Sequence, residues 1–597
     1  MEQLISKASV FRWLVATVAA LAFYLFSDQF LAPPDCAFYW AWADALLRSF
    51  SFDFGESFAG LQIPQWYCYV VPETGRLAND WPMGTGLMVL PVAWAGAVAA
   101  HVWILLLLGA VLHYWWSQTD GASRGTKAAA LVALFAGTPL LFYGFFAPFF
   151  SHIPSFIICS AFLVCWAGKW SGSTAWRLFS CGVLLGFAVL IRPQNALLAI
   201  VFLFDVSALL ARFRNAGAVV LRETVVPLAA GLVLGLLPRF YSQWVIYGNP
   251  LSMPKLEEMN WLSPNFLPML FSDYHGMLPW TPLYAVAIIG LIMGVRTRPR
   301  LYGALLAVFV SQLYVNAANE VWWSGGSFGN RRMTDYSIVV AWGLLPLFTH
   351  ARRYVRVGST VMTIACCAWT MTLLLAERRL LVPLDRYIPF ASPDFLPAVA
   401  RVFTEPTETW KSLARRAYVI EPMKLLWAAG LFGGLLLVLQ PGLRRLSARQ
   451  VGIALAGFGI VLQGIVGVAA LRTPAQSEEV IAATESESKI LWDNYNELAG
   501  YYLVKAEWME AEQIAEMAIA LRPEAFTGYW YKGMAQLQSG QLAEARASFA
   551  KVVELNPQHH NANAILEDID RALKPVPASV VVPQRQTPAG KTDWRVQ

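Results

Sequence analysis

Apolar stretches long enough to cross a membrane recur along this chain from Trp13 to about Ala470, and they constrain its fold more than any other feature. A helix needs about 20 apolar residues to cross the hydrocarbon core of a bilayer. Within that core a spanning segment must satisfy its own backbone hydrogen bonds, which a helix does and a lone strand does not. Only 14% of the 597 residues are charged, and 57% are apolar. The sequence therefore predicts an all-α, polytopic membrane helical bundle.

The first apolar stretch, residues 13–31, follows Lys7 and Arg12 and so has the charge pattern of a secretory signal. No small-residue cleavage site comes after it, and Pro33 and Pro34 follow instead, so we predict a retained first span. The net charge of +6 comes without a basic soluble domain. We therefore expect no nucleic-acid partner, because basic loops that face anionic lipid explain the excess.

Lys and Arg cluster in alternate connections between the apolar stretches, as the positive-inside rule requires of cytoplasmic loops. This parity predicts about thirteen spans, with the N-terminus in the cytoplasm and the C-terminus outside it. We expect the membrane to be a bacterial inner membrane. The parity holds only if residues 84–116 cross once and residues 181–210 form two segments that meet at Arg192. The basic residues that set it are Lys7 and Arg12; Arg124 and Lys127; Lys169 and Arg177; Arg212, Arg214 and Arg222; Arg296, Arg298 and Arg300; Arg352, Arg353 and Arg356; and Arg444, Arg445 and Arg449.

The membrane domain is predicted to cover residues 1–475, with long extracytoplasmic loops at residues 33–81 and 377–422. Cys36 and Cys68 both lie in the first loop and can form a disulfide if that loop faces an oxidising compartment. The sequence leaves this pairing open. The second loop is rich in Arg, against the positive-inside rule. Either its length frees it from the rule, or its cations have a function.

A 34-residue repeat begins where the apolar stretches give way to amphipathic helix, and it places Ala511 in register with Ala545. The period and the small residues resemble tetratricopeptide (TPR) repeats, in which pairs of helices stack. We predict TPR-like repeats over residues 485–573, closed by a capping helix, and a disordered tail over residues 574–597. Two repeats are fewer than usually stand alone, so we expect them to pack on the membrane domain or on a protein partner.

Two acidic residues lie at the predicted membrane boundary on the extracytoplasmic face. Asp35 follows the first span directly, and Asp80 precedes the Trp81-Pro82 start of the next. A carboxylate in such a place can act as a general base toward a hydroxyl group. Each residue is also well placed to cap a helix, which stabilises a helix by about 1 kcal/mol, and for Asp35 taken alone a cap is the better interpretation.

Two further clusters on that face combine polar groups with apolar surroundings. His152 follows Ser151 in a short turn, where a structural role is about twice as common as a catalytic one, although a histidine at the interface can also donate to a phosphate. Arg192 stands where two apolar segments break, followed by Pro193 and Gln194. A broken backbone at membrane depth favours a polar cavity, and a fixed guanidinium suits phosphate.

The most informative cluster runs from Trp322 to Arg332 and reads Trp-Trp-Ser-Gly-Gly-Ser-Phe-Gly-Asn-Arg-Arg. Its glycines let the backbone approach a ligand closely. Trp322 and Trp323 offer a surface on which a sugar or a lipid can stack, and Arg331 and Arg332 offer charge to an anionic head group. An aromatic belt with arginine anchors explains part of this pattern but not the glycines.

Taken in order, these clusters resemble the GT-C superfamily of membrane glycosyltransferases, which includes the dolichyl-phosphate-mannose protein mannosyltransferases and the aminoarabinose transferases. The resemblance covers residues 13–336. The motifs that carry it are Asp35, Trp81-Pro82-Met83-Gly84, Ser151-His152, Arg192-Pro193, Tyr247-Gly248-Asn249-Pro250, His275-Gly276-Met277-Leu278-Pro279 and the run from Trp322 to Arg331.

The resemblance implies an enzyme that moves a sugar from a polyprenyl-phosphate-linked lipid to a hydroxyl acceptor on a glycan, a lipid or a protein, on the extracytoplasmic face. Asp35 would be the general base or a metal-organising carboxylate, with Asp80 as its support. Cys36 stands where such enzymes often have a second acidic residue, so no cofactor is certain and a divalent metal stays open. The residues that would hold the phosphate or the rest of the substrate are Arg192, Arg331, Arg332 and His152, with Gln194, Tyr247, His275, Trp322 and Trp323.

Three other interpretations remain at this stage. A transporter would suit many spans and a broken helix at Arg192. It lacks support from an inverted repeat in hydropathy, and the candidate residues gather at one face rather than at the midplane. A non-catalytic assembly platform in the cell envelope would use the repeats as its working part. An oligosaccharide ligase would need cations in the Arg-rich loop at residues 377–422.

Overall fold

The computed structural model describes most of the membrane domain and the core of the C-terminal module. The residues it describes are 34–61, 63, 70–71, 73–119, 121–168, 173–252, 259–324, 328–379, 381–382, 390–393, 395–414, 448–473, 495–496, 498–500, 502–503, 508–557 and 559–573. The first predicted span, Cys68 and the predicted disordered tail lie outside these residues. The described residues divide into two compact units, one before and one after the segment at 474–494.

The first unit is built almost entirely from helices, which confirms the all-α prediction. Its one sheet within the described residues is a two-stranded antiparallel hairpin, β1 (Val70–Val71) and β2 (Arg76–Leu77). Short 3-10 segments cover Pro193–Asp205 and Arg331–Tyr336, and a π-helical turn covers Leu221–Val225. The α-helices are α1 (Pro34–Arg48), α2 (Gly55–Gly60), α3 (Gly84–Ala93), α4 (Ala97–Gln118), α5 (Arg124–Ala136), α6 (Leu140–Phe145), α7 (His152–Ala167), α8 (Thr174–Ile191), α9 (Val206–Val220), α10 (Val226–Tyr247), α11 (Phe266–Phe271), α12 (Met277–Trp280), α13 (Leu283–Val295), α14 (Pro299–Ala318), α15 (Ile338–Phe348), α16 (Arg353–Arg378), α17 (Phe395–Thr404), α18 (Pro406–Ala414) and α19 (Ala448–Arg472).

Six helical stretches in the described residues are long and apolar enough to cross a membrane, not the thirteen that the loops predicted. Six further apolar helices have 10–17 residues and fall short of the length criterion. Hydropathy scores the apolarity of a stretch and not the continuity of its helix, and the predicted first span and residues 415–447 lie outside the described residues. The six long stretches are Ala99–Gln118, Thr174–Ile191, Ala216–Tyr247, Pro299–Ala318, Arg353–Arg378 and Gly452–Arg472.

Two of the apolar stretches are broken, one at Arg192 and one at Gly96. Helix α8 ends at Ile191, Arg192 is extended, and a 3-10 segment begins at Pro193, which confirms the predicted break. The residue before a proline is biased away from helical backbone, so the cause lies in the sequence. Residues 84–116 were predicted to cross once; they form α3, which is shorter than a span, and most of α4, which contains one candidate span. Gly96, with φ of 90°, separates these two helices.

Helices α8 and α10 cross at glycines that allow their backbones to touch. A Cβ atom added at Gly182 would lie 2.2 Å from the carbonyl oxygen of Leu228, and one added at Gly231 would lie 2.2 Å from that of Phe179. Such small residues drive close helix packing in membranes. Because Arg192 follows the last residue of α8, this crossing also fixes the position of Arg192.

The predicted loop at residues 377–422 is partly helical, with α17 and α18 folded against α16. Two of its cations have a carboxylate partner: Arg379 pairs with Glu405, and Nε of Arg401 lies 3.0 Å from Oε1 of Glu405. The guanidinium carbon of Arg378 lies 4.3 Å from the ring centroid of Phe146. These three Arg side chains therefore already have protein partners.

From residue 508 to residue 573, where all but residue 558 are described, the second unit contains four helices, α20 (Trp508–Leu521), α21 (Phe526–Gln538), α22 (Leu542–Leu555) and α23 (His560–Ala572). Helices α20 and α22 begin 34 residues apart (542 minus 508) and have 14 residues each, as the repeat period requires. Ala511 and Ala545, which the period aligns, are both fully buried in a core with Phe549. Each helix packs on the next along the chain. The capping helix predicted near residues 562–573 corresponds to α23.

Candidate functional site

Asp35 lies in the first turn of α1, where its carboxylate is held from two directions. Nε1 of Trp81 donates to Oδ1 at 3.1 Å, and Nη1 of Arg331 donates to Oδ2 at 3.5 Å. Trp81 is itself anchored, because its ring stacks on Phe38 with centroids 3.9 Å apart and its carbonyl accepts from Nε1 of Trp42. The Asp35 side chain keeps 29% of its exposure. A carboxylate so placed is both oriented and reachable.

Arg331 joins Asp35 to the predicted Ser151-His152 turn. Its side chain keeps 20% of its exposure, and its guanidinium carbon lies 5.2 Å from the ring centroid of Phe150. Stacking on an aromatic face fixes the plane of a guanidinium without consuming its N–H groups. Arg332, the next residue, is buried, with 7% exposure. Of the two arginines, Arg331 is thus the one that can meet a ligand directly.

A hydrogen-bonded path connects the wall beside Asp35 to the break at Arg192. The hydroxyl of Tyr39 donates to Oγ of Ser151 at 3.0 Å, and Nη1 of Arg192 donates to the same oxygen at 3.4 Å. Nη1 of Arg192 also lies 2.8 Å from Nδ1 of His152. The structure therefore brings Asp35, His152, Arg192 and Arg331 together, as the sequence predicted.

Asp335 is the functional candidate that the sequence analysis missed. Its side chain is fully buried, and its Oδ1 lies 2.9 Å from Nδ1 of His152. Its Oδ2 accepts from Oγ of Ser155 at 2.9 Å and lies 3.2 Å from Nε of Arg192. Burial raises the pKa of Asp335 to about 7, and Arg192 and the bond from Ser155 oppose that shift. The position of Asp335 could have identified it from the sequence, because this acidic residue lies four residues after Arg331 and just before an apolar stretch.

Asn195 and Tyr336 close the polar cluster around Asp335. Nδ2 of Asn195 donates to Oγ of Ser155 at 2.9 Å, and its Oδ1 accepts from the hydroxyl of Tyr336. Gln194 contacts Arg192 when its amide is oriented with the oxygen inward, and that oxygen then accepts from both Nε and Nη2 at 2.7 Å. Each of these polar groups has a partner, which buried polar groups need in order to be tolerated.

Two further candidate residues, Asp80 and Tyr247, contact each other in the same unit. The hydroxyl of Tyr247 donates to Oδ1 of Asp80 at 2.7 Å. The β-hairpin holds the end of α10 beside it, because Thr74 donates to the carbonyl of Ile246 at 2.5 Å and Arg76 donates to that of Val245. Asp80 therefore acts on the end of α10 through Tyr247, a contact that the sequence did not foresee.

The predicted residues His275, Trp322 and Trp323 lie in one aromatic cluster. The two tryptophan rings meet edge to face with centroids 5.7 Å apart, and Tyr274 lies between Trp323 and His275. His275 is buried, stacks 5.2 Å from Trp280 and has a positive φ of 58°. Nδ2 of Asn330 donates to the carbonyl of Trp322 at 3.2 Å, which ties this cluster to the backbone beside Arg331.

The groups around Asp35 do not suit a divalent metal. Of its two oxygens, one accepts from an indole N–H and the other faces a guanidinium, which competes with any cation. Among the residues that the structure describes, no three His, Cys, Asp or Glu side chains lie close enough together to bind a metal ion. Cys36 is buried and its predicted partner Cys68 is not described, so that disulfide stays a prediction. The geometry around Asp35 therefore gives no support to a metal-dependent step.

No protein-family model, curated protein or solved structure matches this chain. The fold gathers three kinds of functional group around Asp35 and Arg192. They are a reachable carboxylate, an arginine that lies over an aromatic ring and a buried Asp-His-Arg cluster. This set can take a proton from a hydroxyl group and hold an anion within one site.

Proposed function

We propose that this protein is a membrane glycosyltransferase that moves a sugar from a polyprenyl-phosphate-linked donor to a hydroxyl acceptor on the extracytoplasmic face. The observation that carries the proposal is the contact between Asp35 and Arg331, with Arg192 and His152 reached from it through Tyr39 and Ser151. Transfer from a phosphate ester needs a base and fixed cations side by side.

In the proposed reaction the oxygen of the acceptor hydroxyl attacks the anomeric carbon of the sugar. The Asp35 carboxylate accepts the proton of that hydroxyl in the same step. The bond between that carbon and the phosphate oxygen breaks, and its electron pair leaves with the polyprenyl phosphate. Negative charge therefore grows on the phosphate in the transition state. Fixed cations that face this charge lower the barrier more than they tighten ground-state binding.

Arg331 is the cation best placed for the phosphate, because it is partly exposed and its guanidinium carbon lies 5.2 Å from the ring centroid of Phe150. Arg192 and Arg332 add positive charge behind it, and Nδ1 of His152 lies 2.8 Å from Nη1 of Arg192. Trp322 and Trp323 offer aromatic faces to the sugar or to the lipid chain. Three described cations of the loop at residues 377–422, Arg378, Arg379 and Arg401, contact Phe146 or Glu405 instead, which favours this site over that part of the loop as the donor site.

The membrane arrangement belongs to the same proposal. An N-terminus in the cytoplasm and an extracytoplasmic C-terminus would place Asp35 and Arg331 on the outer face of a bacterial inner membrane. The second unit would then be a TPR-like module outside the cytoplasm, suited to a protein partner. The packing of α20 to α23 and their 34-residue offset support that interpretation.

A direct test incubates the full-length protein, purified in detergent or nanodiscs, with polyprenyl monophosphates that carry a radiolabelled sugar. Loss of the label from the lipid fraction and its appearance on an added hydroxyl acceptor would support the proposal. A transporter would instead move a lipid or solute across a proteoliposome membrane without breaking the sugar–phosphate bond. Intact labelled lipid across a panel of sugars and acceptors would end the proposal.

Replacing Arg331 with Gln is expected to lower kcat about 10²-fold, because one fixed donor to the developing phosphate charge is lost. The matched control is Arg352→Gln, which removes an exposed arginine whose Nη1 donates to the hydroxyl of Tyr354 at 2.7 Å. Initial rates over a range of donor concentrations separate kcat from KM. An Arg331→Gln variant with wild-type kcat and a raised KM would contradict a role in the transition state.

A further inference from the structure

We propose that Asp335 is a positioning residue, a buried counter-ion that holds Arg192 and His152 in the geometry needed to receive the donor phosphate. This inference rests on the proposed function and deepens it at the same site. It assigns a role to a residue that neither touches the substrate nor belongs to the motifs that suggested glycosyl transfer.

The geometry around Asp335 joins three separate segments of the chain. Its two carboxylate oxygens reach His152 and Ser155 at the start of α7 and Arg192 at the break after α8. Asp335 itself lies in the 3-10 segment that begins at Arg331. One carboxylate therefore fixes the spacing between the Ser151-His152 turn, the Arg192 break and the segment that carries Arg331.

The orientation of the Arg192 side chain depends on which edge of its guanidinium group faces the carboxylate of Asp335. Oδ2 of Asp335 faces Nε, so Nη1 points toward Ser151 and His152. A guanidinium has a rigid planar fork, so holding one edge sets the direction of the others. Without the carboxylate, the side chain of Arg192 would lose both its counter-ion and the contact that sets this direction.

Like-charge repulsion gives Asp335 a second task. Arg192, Arg331 and Arg332 bring three positive charges close to His152, and a phosphate neutralises them only while the donor is bound. A buried cation without a counter-ion is strongly destabilising. Ionised Asp335 supplies a negative charge on the inner side, which leaves the outer side, with Arg331, open to the phosphate.

Asp335 also controls the proton on His152. Nδ1 of His152 lies 2.9 Å from Oδ1 of Asp335 and 2.8 Å from Nη1 of Arg192. A guanidinium only donates, whereas a carboxylate only accepts, so Nδ1 can bond to one of these partners at a time. The ionised carboxylate favours a proton on Nδ1, which makes Nε2 the acceptor nitrogen of the ring.

The role requires the ionised form of Asp335, and burial raises the pKa of that carboxyl to about 7. Activity that depends on this form rises as the pH increases through about 7 and is lost below it. An asparagine cannot titrate, so the corresponding variant lacks this limb of the profile. The charged and titratable groups that act on Asp335, or are acted on by it, are Arg192, Arg332, His152, Cys159, Tyr284 and Tyr336.

The test compares the pH dependence of kcat/KM for the wild type, Asp335→Asn and the control Asp205→Asn. Asp205 also pairs with an arginine, Arg300, in the same unit but is 32% exposed. We expect Asp335→Asn to lower kcat/KM about 10²-fold and to lose the acidic limb, while Asp205→Asn keeps the wild-type profile. A folded Asp335→Asn variant with the wild-type limb and rate would overturn the inference.

A second variant decides the matter if Asp335→Asn does not fold. Ser155→Ala keeps the charge of Asp335 but removes one hydrogen bond to its ionised form, which raises the pKa of the carboxyl. The acidic limb should therefore move to higher pH, and an unmoved limb would overturn the inference.

Binding of unlabelled polyprenyl monophosphate, measured for the same proteins, separates this inference from the proposed function. A wild type that binds the phosphate but transfers no sugar would end the proposed function alone. Asp335→Asn, or Ser155→Ala near pH 7, should then still bind more weakly than Asp205→Asn, and equal binding would overturn the inference. A wild type that binds no polyprenyl phosphate would end both.

Discussion

Replacing Asp35 with Asn is expected to lower turnover about 10³-fold, within the range that general-base catalysis contributes. The amide keeps the size of the side chain and can still accept from Nε1 of Trp81, but it cannot take the proton of the acceptor. Arg331 loses its carboxylate partner and remains available to the phosphate, so donor binding should persist. Single-turnover assays with labelled donor, together with donor affinity, measure the two effects separately.

The matched control for this variant is Asp44→Asn in the same helix, α1. Asp44 pairs with Arg48, which follows one helical turn later, and its Oδ2 lies 2.6 Å from Nε of that arginine. It loses the same charge and should turn over like the wild type. The alternative for Asp35 is a helix cap, and a cap predicts a loss of about 1 kcal/mol of stability with turnover unchanged. Turnover of Asp35→Asn near that of the wild type would thus favour the cap.

The sequence predicted the parts of the site that have a local cause. Pro193 breaks the helix before it, so Arg192 could be placed at a break. Asp35 lies in the first turn of α1, at the helix start where a cap was considered, whereas His152, which was predicted to lie in a turn, begins α7. What brought these groups into contact is the packing of helices distant in sequence, which periodicity alone does not specify.

Asp335 escaped the sequence analysis because its role is set by partners about 140 to 180 residues away. An acidic residue beside two arginines reads as a local ion pair, and nothing nearby in the chain shows that it is fully buried. The contact of Asp80 with Tyr247 was missed for the same reason, since 167 residues separate them. The sequence therefore did not predict polar contacts between residues that are far apart in the chain.

The predicted number of spans differs from the number found in the described residues for a different reason. Six apolar helices in the described residues, α3 among them, have only 10–17 residues and fall short of a span, and a glycine with positive φ separates α3 from α4. Left-handed backbone costs a glycine little, so such a break needs no polar residue to mark it. Hydropathy therefore located the apolar stretches correctly and could not show how each one is divided.

Replacing Gly290 with Val is expected to destabilise the membrane unit by about 3 kcal/mol or more, because α13 and α15 touch through their backbones there. A Cβ atom added at Gly290 would lie 1.8 Å from the carbonyl oxygen of Gly343, and one at Gly343 would lie 2.4 Å from that of Ala287. No side chain can rotate away to relieve these contacts, so the helices themselves must separate. Thermal unfolding in detergent and the monodisperse fraction after size exclusion measure the loss.

Gly109→Val is the matched control, since it makes the same substitution within helix α4, where a Cβ atom at Gly109 would meet nothing within 4 Å. Both variants change helix propensity alike, so the difference between them isolates the crossing of α13 and α15. Helix α15 begins two residues after Tyr336, directly behind the segment that carries Arg331 and Asp335. Any Gly290→Val protein that still folds should therefore lose sugar transfer as well, whereas stability and transfer equal to those of Gly109→Val would contradict the close crossing.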